Sequence, residues 1–115
     1  MANTFKVITK AGVTSADVIY TVAGSTTTVV LGLIIGNTTS SSINATITLG
    51  TDTANRAGAN NETNQDVELI TSAAIPANSS LELMTGNKIV METTDTLSVT
   101  GSGAVDIALS IMEIT

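Results

Sequence analysis

The stretch INATITL at 43–49 alternates without a break. Ile43, Ala45, Ile47 and Leu49 fall on one side of an extended chain, and Asn44, Thr46 and Thr48 on the other. Successive side chains of a β-strand point to opposite faces, so this pattern predicts a strand with one face in a core and one in water. The same period of two recurs at Phe5 and Val7, at Val18, Tyr20 and Val22, at Leu81 and Leu83, at Leu97 and Val99, and at Val105, Ile107, Leu109 and Ile111. Two more strands are expected over 66–71 and 88–92. Turn-forming clusters such as AGVTSAD, TTSSS, ANSS, TGN, TTD and GSG separate these runs closely enough to leave no room for a substantial helix. The expected fold is all-β: an antiparallel β-sandwich, jelly-roll-like, of about eight or nine short strands. Its core is expected to hold Val18, Tyr20, Leu31, Leu33, Ile47, Leu49, Leu81, Leu83, Leu97, Val99, Ile107 and Leu109.

Two strands carry more apolar residues than one buried face requires. In TVVLGLIIG at 28–36, Val29, Leu31, Leu33 and Ile35 are assigned to the core, which leaves Val30 and Ile34 on the side that a half-exposed strand gives to polar residues. In the last strand Val105, Ile107, Leu109 and Ile111 face inward, leaving Ala108, Met112 and Ile114 beside Asp106 and Ser110. A second subunit covering these faces is the simplest solution. Val30, Ile34, Ala108, Met112 and Ile114 are therefore the candidate oligomer interface of a homo-oligomer, a trimer or a component of a symmetric lattice. A bulge near Met112 would account for Ile114 but not for Val30 and Ile34.

The 115 residues suit one domain over 1–115. The long polar stretch 51–65, TDTANRAGANNETNQ, has no apolar period and is expected to be a surface loop that tolerates shortening. A faint echo links TVAGSTTTVVLGL to AIPANSSLELMTG, an apolar residue and a small turn feeding a strand, and is assigned to turn chemistry rather than duplication. Pro76 is placed at such a corner or on a sheet edge, because it has no N–H to give to a ladder.

Composition narrows the function classes. Apolar residues make up 43% of the chain, yet they include one Phe, one Tyr and no Trp, so the core is aliphatic and an aromatic platform for sugars or single-stranded bases is not expected. Charged residues are only 12%, and Thr, Ser and Asn are left to form a neutral surface suited to packing against other protein. The net charge is −6, with Lys6, Lys10, Arg56 and Lys88 dispersed, which argues against nucleic acid and anionic membrane as partners. The amino-terminal segment alternates instead of presenting a continuous apolar stretch, and the run 29–35 is too short to span a bilayer. A soluble protein made without export is expected.

With neither His nor Cys, the usual general base and thiol nucleophile are missing and thiolate metal sites are excluded. A Ser–Lys dyad using Lys6, Lys10 or Lys88 remains formally possible, but lysines in alternating strands are ordinarily solvated. Asp52-Thr53-Ala54 is like an aspartic-protease triplet without its glycine, and a polar turn accounts for it better. Asp52, Glu62, Asp66 and Glu68 are the one dense oxygen-ligand set. Their spacing is not that of an EF-hand; a solvated acidic rim is the favoured reading and a weak calcium site the alternative. The sequons at Asn37, Asn44, Asn61 and Asn78 are what chance supplies in so Asn- and Thr-rich a chain. No enzyme activity, metal or cofactor is expected.

Taken in succession, TVAGSTTTVVLGLIIGNTTSSSINATITL, AIPANSSLELMTGNKIVMETTDTLSVT and the final VDIALSIMEIT resemble a family of small virion structural proteins of tailed bacteriophages, marine ones in particular. The resemblance covers most of the chain and lies in the order of its turns and strands rather than in any one motif. The chain departs from the family's Pro-Ala-Gly corners, having Val22-Ala23-Gly24 and Pro76-Ala77-Asn78. The resemblance implies a non-enzymatic β-sandwich on a phage particle that meets a major capsid or tail protein. The preferred role is a head decoration, or cement, protein; the alternative is a tail or tail-fibre component with an adhesive role.

Overall fold

The computed structural model describes residues 2–51, 65–83 and 87–115. Among them lie nine strands and no helix: β1 (Asn3–Val13), β2 (Asp17–Thr21), β3 (Thr27–Asn37), β4 (Ile43–Gly50), β5 (Asp66–Ile75), β6 (Ser79–Leu83), β7 (Ile89–Met91), β8 (Thr96–Gly101) and β9 (Val105–Ile114). Every pairing is antiparallel. One sheet, here sheet A, runs β1-β9-β3-β6, with β7 also on β3; the other, sheet B, runs β2-β8-β4-β5. The chain crosses between sheets at almost every connection, and β9 returns to lie between β1 and β3. This is the strand order of a jelly roll, with β6 and β7 sharing one lane. The expected sandwich is what forms.

Three of the connections use the same turn. Buried Val22, Ile75 and Met91 each stand three residues ahead of a residue with positive φ, namely Ser25, Asn78 and Thr94. Ser79 N–H donates to Pro76 O at 3.3 Å and Asp95 N–H to Glu92 O at 3.0 Å, closing two of these turns. The echo in the sequence is thus turn chemistry, and Pro76 sits at a corner as expected. A left-handed Thr is strained. Thr94 is held in place because its N–H donates to Val22 O at 3.0 Å while Val22 N–H donates to Asp95 O at 3.0 Å, which locks two of the turns together. At the opposite end, buried Asn37 donates from Nδ2 to the carbonyls of Ser41, Ile75 and Pro76 and accepts at Oδ1 from Thr39. One satisfied amide thereby ties the end of β3 to the end of β5.

The inward positions of β4, β8 and β9 follow the alternation. Ile43, Ala45, Ile47, Leu97, Val99, Val105, Ile107, Leu109 and Ile111 are all buried, and Tyr20, Leu49, Leu81 and Leu83 pack against that core. Elsewhere bulges shift the parity. The register of β3 against β9 slips between Val30 and Gly32, so Leu31 is an extra residue. Ahead of it Val30 is buried, 1% exposed, and Val29 and Leu31 are only half-buried; beyond it Leu33 and Ile35 are inward. Val30 therefore belongs to the core and is not a surface residue, contrary to the strict alternation. A second slip between Val18 and Tyr20 turns Ile19 inward and leaves Val18 50% exposed. In β1 the buried parity belongs to Ile8, and Phe5 and Val7 face out. β5 runs to Ile75, past its expected end at 71, through two slips against β4, with Ser72 at positive φ. Such bends suit an edge strand, because they spoil it as a template for further pairing.

Thr51 and Gln65 close the base of the long polar stretch. Thr51 N–H donates to Gln65 O at 2.8 Å, and Gln65 N–H to Thr51 Oγ1 at 3.1 Å. The body of that expected loop, 52–64, lies outside the described residues.

Candidate functional site

Residues opposite each other in an antiparallel pair share a face, so the register of sheet A identifies what its outer side presents. Phe5 lies opposite Met112, Met112 opposite Val29, and Val29 opposite Val90, which makes an apolar row across β1, β9, β3 and β7. Flanking rows are Asn3–Ile114–Thr27 and Val7–Ser110–Gly32. Next comes Thr9–Ala108–Ile34–Glu82, reaching β6. Phe5 is 71% exposed and Ile34 43%. Shallow depressions lie on either side of Ile34, one of about 400 Å³ bordered by Thr9, Gly36 and Ala108, the other bordered by Gly32, Glu82 and Ser110. A Cβ added at Gly32 would meet nothing within 4 Å. A glycine inside a strand weakens it, and no close neighbour within the chain calls for this one.

Of the residues the sequence suggested for an interface, Ile34, Ala108, Met112 and Ile114 stand on this outer face, with Ile34 and Ala108 directly opposite each other. Val30 does not, because the bulge at Leu31 turns it into the core. Phe5, Val7, Val29 and Val90 share the face and were not expected there. Phe5 and Val7 did show as an alternating pair, but alternation alone does not say which side is inside. The clue was Ile8, the one apolar residue of opposite parity near them.

A second cluster bridges the sheets. The Tyr20 hydroxyl donates to Glu113 Oε2 at 2.6 Å and lies 2.7 Å from Thr28 Oγ1, while Lys6 Nζ is 2.7 Å from Glu113 Oε1. Burial pushes the Tyr20 phenol up to about 12, aided by the carboxylate it bonds. The Lys6 ammonium, and then the Tyr20 hydroxyl, hold the Glu113 carboxyl below its usual range. A phenol that stays protonated and a carboxylate that stays ionised have no proton to exchange near neutral pH. The cluster fastens β1, β2, β3 and β9 together.

Two of the three dyad candidates are spoken for by acids: Lys6 pairs with Glu113, and Lys10 Nζ lies 3.2 Å from Asp17 Oδ2. Among the described residues no three of His, Cys, Asp and Glu gather as a metal site would need. Glu68, from the acidic set near the long loop, accepts instead from the Thr71 hydroxyl, and Asp52 and Glu62 lie outside the described residues. The Asn37 sequon is buried with its amide engaged.

No protein-family model matches the chain, and no curated protein matches it. Two solved structures are similar in outline. One is from work on Bacillus endospore appendages, described as a family of disulfide-linked pili, at 13% identity and a TM-score of 0.49, covering 99% of this chain and 87% of that one. The other is from the T13 viral particle of IBDV, at 11% identity and a TM-score of 0.26, covering 96% of this chain and 35% of that one. At these scores neither likeness bears on what the chain does.

Proposed function

We propose that this chain is a non-enzymatic structural subunit of a phage virion, a head decoration protein that associates with copies of itself and with the major capsid protein. The observation that carries the reading is the outer face of sheet A, where apolar residues from four strands meet in register on the outside of a sandwich whose core is already filled. Exposed faces of this kind mark contacts with other protein. The near-neutral Thr, Ser and Asn surface and the lack of His and Cys support a role in packing rather than in chemistry. The resemblance in turn and strand order to small tailed-phage structural proteins supplies the setting. In that setting Ile34, Ala108, Met112 and Ile114, joined by Phe5 and Val29, form the contact.

Light scattering of the purified chain tests self-association, and image reconstruction of an assembled particle tests the setting. The expected results are an oligomer and density for this sandwich on the capsid lattice. A monomer at high concentration that is also absent from repeated contacts on the particle would defeat the proposal. Density on the tail would move the role to the tail alternative.

A further inference from the structure

β1 is fastened to the sandwich mostly by its backbone. Of its side chains only Val13 is buried, and Ile8 alone among the rest packs against the core. Of the other positions of inward parity Thr4 is exposed, while Lys6 opposite Ile111 and Lys10 opposite Ile107 carry charge and reach Glu113 and Asp17. The hold on β1 is its ladder to β9, from Asn3 opposite Ile114 to Lys10 opposite Ile107, extended by reciprocal hydrogen bonds between Ala2 and Thr115 at 3.1 and 3.0 Å. The ladder slips between Lys10 and Val13. There Gly12 takes a φ of +69°, a conformation that costs glycine nothing, and the following residues 14–16 are exposed. An edge strand with a glycine joint at its root and few core contacts can leave without opening the core. The place it vacates on β9 accepts the same strand from any other copy.

We propose that copies of this chain assemble by exchanging β1, the strand of one copy pairing with β9 of the next. The inference rests on the self-association reading and adds a backbone contact to the outer-face contact proposed above. Exchange is favoured over simple edge-to-edge pairing of β1 strands because Lys6 and Lys10 guard that edge, as edge lysines do elsewhere. In exchange each ladder bond and each ion pair to Glu113 is replaced by its equivalent, so the cost is confined to the joint. The tether to release there is Gly12 N–H donating to Asp106 Oδ1 at 3.0 Å. Exposed Phe5 and Val7 travel with the strand, placing one copy's apolar side chains on its neighbour's outer face.

The absence of cysteine makes the test clean. Val7 and Ser110 are opposite each other in the β1–β9 ladder, a geometry that suits a cross-strand disulfide. Two single variants, Val7→Cys and Ser110→Cys, are unfolded together, refolded as a mixture at high concentration and oxidised. Exchange predicts a covalent pair of twice the monomer mass containing one chain of each kind, which neither variant yields alone, which reduction abolishes, and which mixing the two variants already folded does not give, whereas packing of outer faces without exchange would give it from folded chains too. An oligomer by light scattering that gives no mixed pair overturns exchange and leaves self-association standing. A monomer by both measurements overturns both. Circular dichroism checks refolding, and Thr9→Cys with Ala108→Cys, also opposite in register, repeats the test if the first pair does not refold.

Discussion

Sheet B turns Thr46, Thr48, Ser98 and Thr100 to the outside, whereas sheet A turns out Phe5, Val7, Val29, Ile34 and Met112. Their inner faces are alike: Ala45, Ile47, Leu97 and Val99 from one meet Leu33, Ile35, Leu109 and Ile111 from the other. The fold therefore needs no continuous apolar exterior, since sheet B pairs and packs with hydroxyl groups over most of its outer face, where Val18 stands singly beside Ser98. That difference between the two outer faces is what the proposed contact rests on. The threonines of sheet B show what this sequence uses where a face stays in water, with β-branching for the strand and a hydroxyl for the solvent.

The sharpest way to break that comparison is to substitute neighbours on β3 that point to opposite sides. Leu33→Ala is expected to cost ~2–5 kcal/mol of stability, as deletions from a filled core do. Ile34→Ala is expected to shift monomer stability by no more than ~0.5 kcal/mol. Urea unfolding at a concentration low enough to keep the chain monomeric reads both. Similar losses for the two would mean that the outer face is packed within the chain.

Next in size is the effect on assembly. Ile34→Asp or Met112→Asp is expected to weaken self-association by at least about tenfold, equivalent to ~1.4 kcal/mol, whereas Thr100→Asp on sheet B leaves it unchanged. Sedimentation of each variant across a concentration series measures this. Equal weakening by Thr100→Asp would shift the cause to added negative charge on an already acidic chain. Val30→Asp is no test of assembly, because it places a carboxylate in the core.

Why Val30 was assigned to the wrong side shows how much of the molecule can be seen in its sequence. Alternation read correctly through β4, β8 and β9, where no residue is inserted on the inward side, and it placed Ile34, Ala108, Met112 and Ile114 on the outside. It failed at Leu31 and near Ile19, where one extra residue reverses the parity of all that precedes it. VVLGL is apolar at both parities around Leu31, so the local pattern holds no mark of the slip. The apolar excess of the chain was therefore visible, but its assignment to one face was not. That depended on the register of β1 on β9 and of β7 on β3, which is set only in the folded sheet. The Tyr20–Glu113–Lys6 cluster was hidden for the same reason, since its members lie far apart along the chain.

That cluster yields the smallest of the expected effects and tests how the two unlike sheets are joined, because Tyr20 comes from sheet B and Thr28, Glu113 and Lys6 from sheet A. The Glu113 carboxyl titrates below its unfolded value, first because of Lys6 and then because of the Tyr20 hydroxyl. Its contribution is present above the unfolded carboxylate pKa and is lost as pH falls through the lower folded one. The Tyr20 phenol is raised from 10.0 to about 12. Its contribution is full below pH 10 and is lost as pH rises through about 12. The urea midpoint of the wild-type chain should thus decline at both extremes. Tyr20→Phe is expected to remove the alkaline decline and keep most of the acid one, because Lys6, the larger cause of the Glu113 shift, is still in place. Lys6→Met is expected to do the reverse, shrinking the acid decline and leaving the alkaline one. If both variants flattened both limbs equally, the cluster would be acting only as packing between the sheets. Independent changes at the two ends of the pH range would show that two separable polar contacts hold β1 and β2 to the rest of the sandwich.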